Sequence, residues 1–142
     1  MKRLLLYVHF NKYDHISRHV FYQLEHMRPL FDKLVFISNS RLSESEVQKL
    51  RDKHLIDDFI QRENTGYDFA AWHDGMEFVG FDNLKQYDSV TVMNDTCFGP
   101  LWDMAPIYDN YESNSNVDFW GMTNHQGIKA GDIYIHEHLQ SY

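Results

Sequence analysis

The chain has 142 residues, enough for one domain with its own core, and its 43% apolar and 15% aromatic content excludes disorder. Its 21 acidic residues outnumber 13 Lys and Arg, for a formal charge of -8, and no basic run exceeds Lys2-Arg3, which argues against nucleic acid as a partner. A single cysteine, Cys97, cannot close an internal disulfide, and no run approaches the roughly 20 apolar residues of a membrane span. The expected protein is soluble and cytoplasmic, able to work at the cytoplasmic face of a membrane, with Cys97 a small semi-buried apolar group.

Leu4 to Phe10 reads as a central strand covered on both faces; it is too short, and too soon interrupted by His9 and Asn11, for a signal peptide. Asp14 is the expected N-cap of a helix that turns Ile16, Val20, Leu24, Met27 and Phe31 inward, with Pro29 limiting its last turn. Leu34 to Ile37 is a second strand with the polar exit Ser38-Asn39-Ser40. Ser43 and Glu46 form a capping-box pattern at the start of a helix that buries Val47 and Leu50. Phe59-Ile60 belongs to a third strand that delivers Arg62-Glu63-Asn64 to the sheet edge. After Gly66, the residues Phe69, Trp72, Met76 and Val79 recur at helical spacing, with Asp68 near the helix start.

Ser89 to Met93 is a β-branched fourth strand, and Gly99-Pro100 breaks the chain before a helix carrying Leu101, Met104, Tyr108 and Tyr111, with Pro106 in its first turn. Val117 to Thr123 and Ile133 to Leu139 read as fifth and sixth strands, separated by a loop-like flap, Asn124 to Asp132. Strands alternating with helices imply right-handed crossovers and an α/β fold with a mostly parallel sheet, one domain over residues 1–142. The abrupt close at Tyr142 reads as a chain that stops inside its natural domain.

Polar residues gather at the predicted strand exits, where open α/β sheets bind ligands. His9 or Asn11 and Asn39 have the position and hydrogen-bonding capacity to hold a base and ribose, or they form turns. Asn64, Asp68 and Asp95 are placed to face one crevice. Gly66 permits a positive φ or close backbone approach, and Asp68 either caps the next helix or reaches a ligand hydroxyl. In Asn94-Asp95-Thr96, Asp95 is placed to present a carboxylate to Mg²⁺ or Mn²⁺ on a diphosphate, or to make a turn. His136-x-His138 sets two imidazoles on one side of a strand, two ligands where structural zinc takes four. The rings of Trp72, Phe98, Trp102, Phe119 and Trp120 read as core, with Trp102 a candidate sugar-stacking platform if exposed. Gly-x-Ser-x-Gly, a Walker-type lysine loop and a CxxC pair are all missing from the sequence.

Taken in order, Tyr13-Asp14, Leu34-Val35-Phe36-Ile37-Ser38-Asn39, Arg62-Glu63-Asn64-Thr65-Gly66-Tyr67-Asp68-Phe69-Ala70-Ala71-Trp72, Met93-Asn94-Asp95-Thr96-Cys97-Phe98-Gly99-Pro100-Leu101, Asp118-Phe119-Trp120-Gly121-Met122-Thr123 and His138-Leu139-Gln140-Ser141-Tyr142 resemble the rhamnan synthesis protein F family of bacterial polysaccharide biosynthesis. That family is similar to GT-A glycosyltransferases, so the resemblance implies a three-layer, Rossmann-like nucleotide-sugar transferase fold, truncated at its C-terminus. It places Asn64, Gly66 and Asp68 in the donor-binding loop and Asp95 in the acidic motif, with one acid where DxD has two. The implied donor is dTDP-rhamnose and the implied acceptor a glycan or lipid-linked glycan, with a divalent cation as cofactor and a general base beyond these residues. The alternatives are a non-catalytic module with this fold that binds nucleotide-sugar or partner enzymes, and a metal-dependent hydrolase using Asp95, His136 and His138.

Overall fold

The computed structural model describes residues 1–140, in two compact units: Met1–Met104, and the residues from Ala105 onward. Ser141 and Tyr142 of the closing motif lie outside the described residues.

The first unit is built on β1 (Arg3–His9), whose Leu4 to Val8 are at most 1% exposed, as an apolar strand covered on both faces must be. The following helix α1 (Arg18–Met27) buries Val20, Leu24 and Met27. It starts later than Asp14 predicts, with Ser17 in the N-cap position. Asn11 accepts the Tyr13 N–H at 2.8 Å, and the turn runs on through Asp14 at φ 55°, whose carboxylate accepts the Arg41 N–H at 2.8 Å instead of capping the helix. A 3₁₀ turn, Arg28–Leu30, begins with Pro29 in its first positions and leads to β2 (Lys33–Ser38). Ser43 caps α2 (Glu44–Asp52), its Oγ accepting the Glu46 N–H at 3.3 Å. The Glu46 carboxylate accepts the Ile16 N–H at 2.9 Å and pairs with Lys49, which ties the loop after β1 to α2 and holds the acid below the usual carboxylate range.

Next come β3 (Asp58–Gln61), α3 (Tyr67–Val79), the single turn α4 (Phe81–Leu84) and β4 (Ser89–Asn94). The four strands form a parallel sheet in the order β3-β2-β1-β4, flanked by helices, a Rossmann-like α/β arrangement. Leu6 stands beside Val35 and Val92, His9 beside Ser38, and Val8 beside Asn94. Helix α3 lies on this sheet through Ala71, Trp72 and Gly75. A Cβ at Gly75 would sit 2.5 Å from Ile37 Cδ1, so glycine sets the closeness of the helix. Phe69, expected inward, is 74% exposed, its ring edge-on to Trp72.

One device recurs at the start of each later strand of this sheet. Asp32, Asp57 and Asp88 each sit one residue before β2, β3 and β4, and each closes a two-bond ring with a neighbouring strand or, for Asp88, with the residue just before β1. Asp32 donates its N–H to the Arg3 carbonyl and accepts the Arg3 N–H on Oδ2 at 2.8 Å. Asp57 does the same with Leu34 (2.6 Å), and Asp88 with Lys2 (2.5 Å).

The second unit holds α5 (Ala105–Glu112), with Pro106 in its first turn as predicted, and four short strands: β5 (Thr123–His125), β6 (Ile128–Ala130), β7 (Ile133–Ile135) and β8 (His138–Gln140). These pair antiparallel, β5 with β8 and β6 with β7, so the parallel pattern ends at β4. Leu101 precedes the helix and is exposed. The predicted strand over residues 117–123 reduces to its last residue. Asn114 turns the chain, its Oδ1 accepting the Asn116 N–H and its carbonyl the Val117 N–H, and Trp120 stacks on Tyr111 and meets Tyr108 edge-on. The predicted strand over residues 133–139 is split at His136-Glu137, and the predicted flap supplies β5 and β6. Gly127, at φ 81°, is the hinge; a Cβ there would lie 2.6 Å from the Ile135 carbonyl.

Candidate functional site

The strand order reverses about β1, with β2 and β3 on one side and β4 on the other, and the crevice at such a reversal is where open α/β sheets bind ligands. Three polar strand ends meet there: His9 on β1, Ser38 on β2 and Asn94 on β4, each at most 6% exposed. Asn39 and Asp95 follow the last two.

Asp95 is clamped between β1 and α1. Its Oδ2 accepts the Phe10 N–H at 3.0 Å, and its carbonyl accepts from His19 Nε2 at 2.8 Å. Burial pushes its carboxyl above the usual carboxylate range, and the Asp68 charge adds to that, against the Phe10 hydrogen bond. Asn94 bridges to α3 by donating to Asp68 Oδ2 at 2.7 Å, while its Oδ1 accepts from the Thr96 hydroxyl at 2.8 Å. Trp72 Nε1 donates to the Met93 carbonyl at 3.1 Å, fixing the start of α3 against the end of β4. Asp68, Asn94, Asp95 and Thr96 thus form one constellation.

His9 lies under it, fully buried and stacked on Phe36. Burial lowers its pKa to about 4, with the His15 backbone offsetting part of the effect, so the ring is neutral near pH 7. Nδ1 is 2.9 Å from Ser38 Oγ; Nε2 has no hydrogen-bond partner among the described residues and lies 4.0 Å from Asp95 Oδ2. Sealed in this way, His9 does not touch a ligand directly.

Asn39 anchors a second group. Its N–H extends the β1 ladder to the His9 carbonyl, and its Oδ1 accepts from Arg62 Nη1 at 2.8 Å. Arg62 Nε also donates to Asp74 Oδ2 at 2.7 Å, which holds that acid low. With its oxygen engaged, Asn39 offers its amide N–H. Asp74 and His19, which lie on helices, escape a sequence reading aimed at strand exits; Ser38, Ser40 and Arg62 are placed at the exits by the sequence, but their partners are not.

The remaining expected residues divide otherwise. Asn11 spends its side chain on Tyr13 and Ser17, and its backbone on Ser40, so it is a turn residue. Asn64 is exposed in the connection before α3, and no contact carries it to Asp95. Gly66, at φ 69°, makes the turn into α3. Cys97 is exposed, not semi-buried. Of the five rings expected in the core, Trp72 is buried, whereas Phe98, Trp102 and Phe119 are 66–79% exposed, because the loop after β4 and the segment before β5 lie on the surface. His136 and His138 do not share a strand. His138 Nδ1 turns to the His136 carbonyl, and its ring stacks on His125. Among the described residues, one trio has ligating atoms within 4.8 Å of one another, His73, Asp74 and Glu77 on α3, and there Asp74 is held by Arg62.

A match to the rhamnan synthesis protein F family covers residues 34–142, more than half of the chain. The chain belongs to the rhamnan synthesis protein F family. It is 32% identical over 110 residues to virulence protein VirA of Vibrio anguillarum, across 77% of this chain and 30% of that protein. It is 31% identical over 124 residues to the uncharacterized protein y4gN of Sinorhizobium fredii, across 87% of this chain and 30% of the relative. The chain therefore spans less than a third of the length of these two relatives. No solved structure matches it. Among the described residues no helix is long and apolar enough to cross a membrane.

Proposed function

We propose that the chain is the donor-binding part of a GT-A-like glycosyltransferase that transfers rhamnose from dTDP-rhamnose to a glycan or lipid-linked glycan acceptor, in the synthesis of a rhamnose-containing polysaccharide. The observation that carries the reading is the pair Asp68 and Asp95, joined through Asn94 at the reversal point of a parallel sheet, in a family named for rhamnan synthesis.

The two carboxylates suit a divalent cation. Both are hard oxygen donors, two protein ligands are a common number for Mg²⁺ on a diphosphate, and the raised carboxyl of Asp95 reports first its burial and only then the Asp68 charge, both of which a cation would offset. Asp95 and Asp68 would hold it; when bound, it supplies positive charge to a departing diphosphate. The chain's own part is orientation. The Phe10 N–H and the His19 contact hold Asp95, Asn94 holds Asp68, and Asn39, turned by Arg62, offers an amide N–H to an acceptor atom of base or ribose.

A non-catalytic role in polysaccharide assembly, as a module binding nucleotide-sugar or partner enzymes, draws on one observation. Asn94, where a second acid would stand, is spent on Asp68 and Thr96. Calorimetric titration with dTDP-rhamnose, with and without Mn²⁺, tests the leading reading. Saturable binding that is lost in Asp95→Ala and Asp68→Ala supports it; binding untouched by both substitutions removes these residues from the site. Rhamnosyl transfer or donor hydrolysis by the full-length protein excludes the non-catalytic reading.

A further inference from the structure

We propose that His9 is a positioning residue whose Nε2–H holds the Asp95 carboxylate in its ligand-engaged orientation. Ser40 donates its N–H to Ser38 Oγ at 3.1 Å, so the Ser38 hydroxyl proton is left to be given to one of two acceptors: His9 Nδ1 at 2.9 Å or the Ser40 carbonyl at 3.4 Å. Given to the Ser40 carbonyl, it would leave Oγ a lone pair to accept from an Nδ1–H, the tautomer that ¹H–¹⁵N correlation detects; we assign it to the nearer of the two, Nδ1. A neutral imidazole carries one proton, so it sits on Nε2.

His9 Nε2 is fully buried and has no hydrogen-bond partner among the described residues, with the His15 backbone the rival contact to Asp95, an arrangement native proteins seldom leave without a use. Asp95 Oδ2 lies 4.0 Å away, about 1 Å beyond a hydrogen bond, and already accepts from Phe10. A small turn of the carboxylate toward the ring closes the contact and gives Asp95 a second donor. The buried stack on Phe36 and the Ser38 contact prevent the ring from moving instead. The residue thus acts through Asp95, as outer groups orient carboxylate and imidazole ligands elsewhere. The inference rests on the donor-site reading only for its effect on ligand affinity.

The test uses the full chain with ¹⁵N-labelled histidine. Long-range ¹H–¹⁵N correlation is expected to show His9 as the Nε2–H tautomer, with a resonance that shifts in Asp95→Asn and stays in Asp68→Asn. An Nδ1–H tautomer, or a resonance indifferent to Asp95→Asn, overturns the proposal and leaves the His15 backbone as the ring's partner. In titrations with Mg²⁺ and dTDP, His9→Gln places an amide near the Nε2 position and is expected to keep affinity, whereas His9→Asn, with its amide near Nδ1, loses about tenfold. Equal losses in both folded variants mean that the ring only fills space, and also overturn it. If the unsubstituted chain binds no Mg²⁺ and dTDP, the donor reading fails, and the tautomer and its response to Asp95→Asn decide the role of His9.

Discussion

The two ends of the parallel sheet use the same residue for opposite purposes. At the end where the strands begin, Asp32, Asp57 and Asp88 lie on the surface, each carboxylate answering one backbone N–H of a neighbouring strand. At the end where they finish, Asp95 is drawn down between β1 and α1 until its side chain is 11% exposed, beside a buried neutral histidine and a second carboxylate. Charge that water can reach serves as a fastener at little cost; charge taken out of water costs stability and is kept where a ligand can use it. A cluster of acids is therefore less informative than how far each is desolvated and what answers it.

The cost of burial at the crevice shows most strongly in the pH dependence of stability. His9 has a native pKa near 4 against an ordinary 6.5, so between these values the unfolded chain binds a proton that the folded chain refuses, and stability falls as pH drops through that window. The loss is about 3 kcal/mol, read as the change in urea midpoint between pH 7.5 and pH 4, and His9→Gln flattens it. Asp95 has the opposite sign. Its raised carboxyl means the native state takes up a proton first, so this group's penalty is relieved as pH falls through its folded value, and Asp95→Asn is more stable than the parent at neutral pH by a margin that vanishes in acid.

Ligand binding gives the next largest effect. Asp95→Ala is expected to weaken dTDP-rhamnose binding in the presence of Mn²⁺ by at least about tenfold, roughly 1.4 kcal/mol, by calorimetry, without lowering the melting temperature. Asp57→Ala, at the opposite edge, removes the bond to Leu34 and the pair with Arg28; it is expected to lower stability by about 1 kcal/mol in denaturant titration and leave nucleotide affinity unchanged. The exposed pair Asp82 and Lys85 is a control, and Lys85→Ala is expected to change neither measurement.

Much of the first unit is legible in the sequence. The apolar runs at Leu4 and Leu34 and the 3.6-residue recurrence in α1 and α2 report burial on a sheet, and burial is what hydrophobic patterning encodes; β4 is legible from its β-branched residues instead, with Val90 and Val92 exposed. The motifs at Asp68 and Asp95 lead to one place because a parallel strand order brings exits together. What escapes is set by hydrogen bonds between distant residues. Asn11 and Asn39 look alike at two strand exits, yet one closes a turn and the other, buried, gives its oxygen to Arg62. The second unit is misread for a related reason: strands of three residues with exposed isoleucines carry too little periodicity to mark their ends, and Gly127 and the Asn114 turn decide them locally.

The rings of Asp32 and Asp88, which align β2 and β4 with β1, carry a consequence for the far end of the sheet. They fix which residue of each strand lies beside which, and a seven-residue strand transmits that alignment over roughly 20 Å to the level at which His9, Ser38 and Asn94 stand. A slip of one residue would rotate every one of these side chains to the reverse face. The alignment of the crevice is thus set from the bottom of the sheet, like the frets of an instrument tuned at its pegs.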